Sequence, residues 1–265
     1  LFKNTAIKKL LFLIAEVILL ADLNKLIRAF EIYLAEYVEK IDIKSFSPNI
    51  EEITVVSYEE RGEKGILFSK VISFNYTNIY EKMYLDKYNI AIDDYIDYIH
   101  GKADISNTIA SNNMVLGIDE YLPKKRRNKE TEFIAFKKFY QRIHKETGCR
   151  YKEWVDKIKE SGKEIEKNLR GQFPTQIPII KFHYKHNLYI FGYSLDVTDK
   201  DILKDLILND NVKTTIFYHN KDTMGQQIAN LVKIIGQKEL IRRTGGNTKT
   251  IYFEPQKPMV SIEKQ

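Results

Sequence analysis

The sequence predicts an α/β domain with a mostly parallel sheet flanked by helices, opened by a helical segment (1–48) and interrupted by a helical insertion (about 119–175). Three observations predict it. Short apolar runs at 71–74, 95–99, 188–191, 213–218 and 250–253 have the length and content of buried strands. Between them lie stretches whose apolar residues recur at three- and four-residue steps, and such alternation is the mark of a parallel sheet with crossover helices. The 265 residues, 43% hydrophobic and free of internal repeats, are enough chain for one large core.

In order, residues 1 to about 41 read as helix, continuing through Leu26, Phe30, Tyr33, Leu34, Tyr37, Val38 and Ile41. The apolar run 10–21 follows Lys8 and Lys9 as a signal peptide would. Glu16 interrupts it, no small-x-small cleavage site follows, and it is too short to span a bilayer, so a buried or amphipathic helix is expected. The chain begins with Leu1 rather than methionine, which leads us to expect a fragment or processed form. Pro48 marks a break, and 51–65 reads as a polar loop.

Strand 71–74 ends in Asn75-Tyr76-Thr77-Asn78, where Thr77 can cap a helix through Ile79, Met83 and Tyr84. Strand 95–99 ends in His100-Gly101, and 107–113 is a polar loop. An amphipathic helix is expected over 130–147, with Phe133, Phe136, Tyr140 and Ile143 on one face and Gly148 as its stop. Another covers 151–169 and carries Trp154. Strand 188–191 runs into the turn Gly192-Tyr193-Ser194-Leu195-Asp196, after which Thr198 and Asp199 can cap a helix carrying Ile202, Leu203, Leu206 and Ile207. Strand 213–218, a helix from Asp222 to Gly236, a short helix near 239–243 and strand 250–253 complete the pattern.

The single cysteine, Cys149, excludes an internal disulfide and suits a reducing cytosol. A net charge of +6 is too mild to define a nucleic-acid binder. The basic knot 124–129 suits either phosphate contacts or a solvated loop, as do Arg242 and Arg243. His183 and His186 lie in an extended run that points them to opposite faces, so no metal is expected.

Ligands of open α/β sheets bind at the carboxyl ends of strands, which share one edge. Three polar clusters fall at such ends: 75–78, 100–101 and 192–196. An asparagine amide such as that of Asn75 can hold a carboxamide or a ribose. His100 can act as a general base with the backbone of Gly101 beside it. Gly192 lets the backbone approach a ligand, while Ser194 and Asp196 can bond sugar hydroxyls; Asp196 and Asp199 disfavour a phosphate there. The same residues also suit ordinary strand-to-helix turns with their own caps.

The ordered set Ser73-Phe74-Asn75-Tyr76-Thr77-Asn78, Ile99-His100-Gly101, Val115-Leu116-Gly117-Ile118-Asp119-Glu120, Phe139-Tyr140-Gln141-Arg142 and Phe191-Gly192-Tyr193-Ser194-Leu195-Asp196 resembles the AbiH family of bacteriophage abortive-infection proteins. The likeness spans about residues 25–255. More distantly, the set is similar to the Rossmann-like sirtuin fold. That resemblance implies NAD as substrate, Asn75 and His100 as the catalytic pair, and Gly101, Gly192, Ser194 and Asp196 as cofactor-binding residues. Thr77 stands where the sirtuin pattern has aspartate, and zinc-ribbon cysteines are absent, so NAD hydrolysis rather than deacetylation is implied. AbiH proteins open with a strand and a Gly-Asn-Gly-Phe-Asp loop, which this sequence lacks. The expected protein is a cytoplasmic phage-defence factor with a nucleotide ligand, a phage-derived activator, a homo-oligomeric state and no membrane partner. A nucleic-acid-binding module and a non-catalytic sensor of a nucleotide or phage protein are the alternatives.

Overall fold

The computed structural model describes residues 2–60, 63–88, 91–118, 125–126, 131, 133–172 and 186–262. In chain order its elements are α1 (Phe2–Tyr33), β1 (Ser45–Phe46), α2 (Pro48–Thr54), β2 (Val55–Glu60), β3 (Glu63–Phe68), β4 (Val71–Ser73), β5 (Ile96–Tyr98), α3 (Lys138–His144), α4 (Tyr151–Gln172), β6 (His186–Ile190), α5 (Lys200–Ile207), β7 (Val212–Tyr218), α6 (Lys221–Ile235), α7 (Gln237–Thr244), β8 (Ile251–Pro255) and β9 (Val260–Ser261). The chain is mixed α/β, and among the described residues its strands form four small sheets. It divides into two compact units, Leu1–Ile43 with Lys70–Cys149, and Lys44–Ser69 with Arg150–Gln265.

The first unit is built on α1. Leu23, Ile27, Phe30 and Leu34, spaced four, three and four apart, form its inward stripe and pack with Ala103 and Met114. A π-helical turn, Leu34–Val38, ends the helix. β4 and β5 pair in parallel, Val71 opposite Ile96 and Ser73 opposite Tyr98. The segment after β5 is tied to α1 by a buried carboxylate. Glu31 accepts from the backbone N–H of Asp104 (3.1 Å), Asn107 Nδ2 (2.6 Å), Asn112 Nδ2 and Arg28 (2.5 Å). Paired and fully hydrogen-bonded, this charge is one the interior tolerates. Lys145, half-buried beside it, donates to Met114 O at 2.5 Å, and burial pulls its pKa down.

The second unit holds a three-stranded parallel sheet in the order β6-β7-β8, with Ile190 opposite Ile216 and Ile216 opposite Phe253. α5 buries Ile202, Leu203, Leu206 and Ile207, the helical stripe expected from the sequence. Ile190, Leu195, Ile216, Leu231, Ile234, Leu240 and Ile251 complete the core. Gly236, at φ 85°, stops α6.

Two expected elements differ. The polar loop over 51–65 is instead α2 followed by the antiparallel hairpin β2–β3, Val55 opposite Phe68 and Glu60 opposite Glu63. The charged residues near its tip hide the alternation that marks a hairpin strand. The helix over 130–147 shrinks to a 3₁₀ turn, Ile134–Phe136, and α3. Phe133 at φ 54° and the extended Lys137 interrupt it. At the start of α1, where a buried or amphipathic helix is expected, the helix is not buried: Leu10, Leu11, Ile14 and Val17 are exposed. No helix among the described residues is long and apolar enough to cross a membrane.

Candidate functional site

In the first unit, parallel pairing of β4 and β5 brings Asn75 and His100 to the same carboxyl edge. Asn75 is exposed, and its backbone N–H donates to Ser73 Oγ at 3.3 Å. His100 is buried, only 5% exposed, with the Phe74 ring edge-on at 5.8 Å and the Tyr76 ring tilted at 6.1 Å. Its carbonyl accepts from Val115 N–H (2.8 Å), and Tyr76 Oη donates to Val115 O (2.8 Å).

Gly101 serves close packing. At φ +77° it lies so near Asn113 that a Cβ would sit 2.3 Å from that carbonyl oxygen. Beyond it lies a charge cluster that spacing does not reveal. Tyr98 Oη donates to Glu81 Oε1 (2.7 Å), and Lys102 Nζ donates to both Glu81 oxygens (3.0 and 2.8 Å). Burial, then the Glu81 carboxylate, pushes the Tyr98 phenol far above its ordinary range.

In the second unit, the turn Gly192–Asp196 leaves the carboxyl end of β6. Gly192 adopts φ +63° with no atom within 4 Å of where a side chain would start, so its backbone is open to close approach. Leu195, fully buried at φ 59°, plugs the turn into the core in a conformation that non-glycine residues seldom hold. From α6, Gln227 donates to Tyr193 O and Phe217 O (both 3.2 Å), and Asn230 donates to Ser194 O (2.9 Å).

Asp196 Oδ1 accepts from Thr198 N–H at 2.8 Å and so caps the following 3₁₀ turn. Asp199, expected as a cap, is instead buried and accepts from Tyr193 Oη at 2.8 Å. Burial, then the Asp199 charge, drives the Tyr193 pKa strongly upward. Ser194 and Asp196 stay at the surface. Next to them in the sheet, β7 ends in exposed His219 and Asn220, and Asn220 caps α6 by accepting from Thr223 N–H (2.8 Å). The result is a fixed turn offering a hydroxyl, a carboxylate and an uncovered backbone.

Gln227 and Asn230 were not among the residues expected from sequence. Gln227 had a signal: it sits within the apolar stripe of α6, three residues after Met224 and four before Leu231. Leu195 had none, since nothing in its neighbours dictates a positive φ. Of the other histidines, His186 hydrogen-bonds Ser161 Oγ at 2.7 Å, His144 stacks on Tyr140, and His183 lies outside the described residues. So does the basic knot 124–129, apart from Lys125 and Arg126. Arg243 is buried, not solvated, and donates to Glu239, Asp210, Leu208 O and Thr250 Oγ1.

Parallel strands ending in polar, glycine-hinged turns are the framework of ligand-binding α/β proteins. A family model described as bacteriophage abortive infection AbiH matches residues 8–219, and the chain belongs to that family. Neither curated proteins nor solved structures show a match to it.

Proposed function

We propose that this protein acts in defence against bacteriophage as a nucleotide-binding protein, with the turn Gly192–Asp196 as its ribose-recognition element. Family membership supports the defence role. The observation that carries the binding role is the open Gly192 at the head of a turn locked by Leu195, Gln227 and Asn230. Pre-set backbone of this kind lowers the ordering cost of binding. Ser194 can donate to or accept from a ribose hydroxyl. A carboxylate has more acceptor sites than the one Asp196 uses in its cap. With Asp196, Asp199 and Asp201 close together, the turn suits a sugar better than a phosphate.

NAD hydrolysis is the second reading, favoured by the placement of Asn75 and His100 at one edge of the β4–β5 sheet. In that reaction His100 takes a proton from the attacking water and Asn75 orients the leaving nicotinamide. The test is protection of bacteria carrying the wild-type chain or Gly192→Val against a panel of phages, with NAD followed through infection. A Cβ at Gly192 meets no atom within 4 Å, so valine there, though strained at φ +63°, chiefly obstructs approach to the backbone, and protection is expected to fall at equal protein level. Full protection by the variant would remove the turn from the function. Infected cells whose NAD is unchanged while protection holds would leave binding without hydrolysis.

A further inference from the structure

We infer that α1 pairs with the α1 helix of a second copy of this chain, along the stripe Ile7, Leu10, Leu11, Ile14, Val17 and Ile18. With 3.6 residues per turn these six fall within about 120° of arc, and no charged residue interrupts them. Ile7, Leu10, Ile14, Val17 and Ala21 alternate three- and four-residue steps, the spacing of a seam that meets another helix. The stripe faces away from the side that its own unit uses. There, Glu16 accepts from Phe133 N–H at 3.0 Å, Phe12 meets the Phe133 ring at 5.1 Å, and Leu23, Ile27 and Leu34 enter the core.

The six residues keep 48% to 69% of their surface exposed, although all are aliphatic. Pairing two such seams would remove on the order of 1,000 Å² from water, the size at which a specific interface separates from chance contact. A shallow, wholly apolar depression between Leu13, Ile14, Val17 and Ile18 provides a seat for a side chain of the facing helix. An identical helix supplies the matching pattern in both directions, as a two-fold interface requires. The inference is independent of the nucleotide-binding reading.

The test is sedimentation velocity of the full chain from about 1 to 50 µM, the range in which an interface of this modest size should associate. The expected result is twice the 31.2 kDa chain mass for the wild type. Ile14→Glu and Val17→Lys should each weaken association by about a hundredfold or more. Leu19→Glu, equally exposed at 51% but off the stripe, should leave the dimer intact. Circular dichroism accompanies each variant. A monomeric wild type would overturn the inference, as would a dimer that ignores both stripe substitutions or one lost equally in Leu19→Glu. So would a monomer that floats with vesicles of mixed phosphatidylcholine and phosphatidylglycerol, which would make lipid the occupant of the stripe.

Discussion

Replacing Gly101 or Gly192 by alanine separates a glycine required by packing from one that leaves space beside its backbone. Both adopt positive φ, +77° and +63°, so alanine costs about 1–2 kcal/mol at either site through its Cβ alone. At Gly192 nothing else is added, because the space beside it is open. At Gly101 the new Cβ would lie 2.3 Å from Asn113 O and 2.6 Å from its carbonyl carbon. That backbone has little freedom to retreat: Asn113 Oδ1 accepts from Lys102 N–H (3.1 Å), Met114 N–H bonds Asn112, and Val115 N–H bonds His100 O. Forcing it aside raises the total to about 3–5 kcal/mol.

At about 2–4 °C per kcal/mol, Gly101→Ala should melt about 6–20 °C below the wild type and Gly192→Ala about 2–8 °C below. Differential scanning calorimetry at one pH and protein concentration measures both. A Gly101→Ala protein melting within about 2 °C of the wild type would refute the reasoning. So would equal losses at the two sites.

Three further outcomes follow from the same geometry. Hydrogen bonding from Arg242 and then Arg243 holds the Glu239 carboxyl at about 2, below its usual 4.5. Its stabilisation is therefore complete above pH 4.5 and lost as pH falls through 2. Screened by solvent it amounts to about 1–2 kcal/mol, and Glu239→Gln should flatten that part of the melting-temperature profile. Glu31→Ala strands the buried donor of Asn112 and the half-buried donors of Arg28 and Asn107 and should cost about 3–5 kcal/mol by urea denaturation, while a loss under 1 kcal/mol would show the hub to be idle. If the protein hydrolyses NAD, His100→Ala should slow turnover by about a hundredfold to ten-thousandfold. Because His100 is buried, its melting curve should also drop by a few degrees, and turnover that persists in a folded variant would leave the histidine structural.

The second unit was legible because its signals are local. Leu188, Ile190, Ile216 and Ile251 sit in short apolar runs, and Ile202, Leu203, Leu206 and Ile207 carry an unmistakable helical period. The turn at Gly192 was legible for the same reason: a glycine between a strand and a capped helix has few other uses. What holds that turn was not, since Gln227 and Asn230 act across more than thirty residues of chain. Arg243 was misread as a surface charge because its partners Asp210, Leu208 and Thr250 assemble only when α7 packs beside the sheet. For the start of α1 the sequence left a buried and an amphipathic helix both open, because apolar periodicity reports that a face seeks cover, not what covers it.

The most direct measurement is calorimetric titration of ADP-ribose and NAD into the wild type, Ser194→Ala and Gly192→Val. Binding by the wild type is predicted, with a loss of about tenfold in Ser194→Ala, the worth of one sugar hydrogen bond. Gly192→Val should show no binding while still folding. A wild type that binds neither ligand, or a Gly192→Val protein that binds as tightly as the wild type, would contradict ribose recognition at this turn.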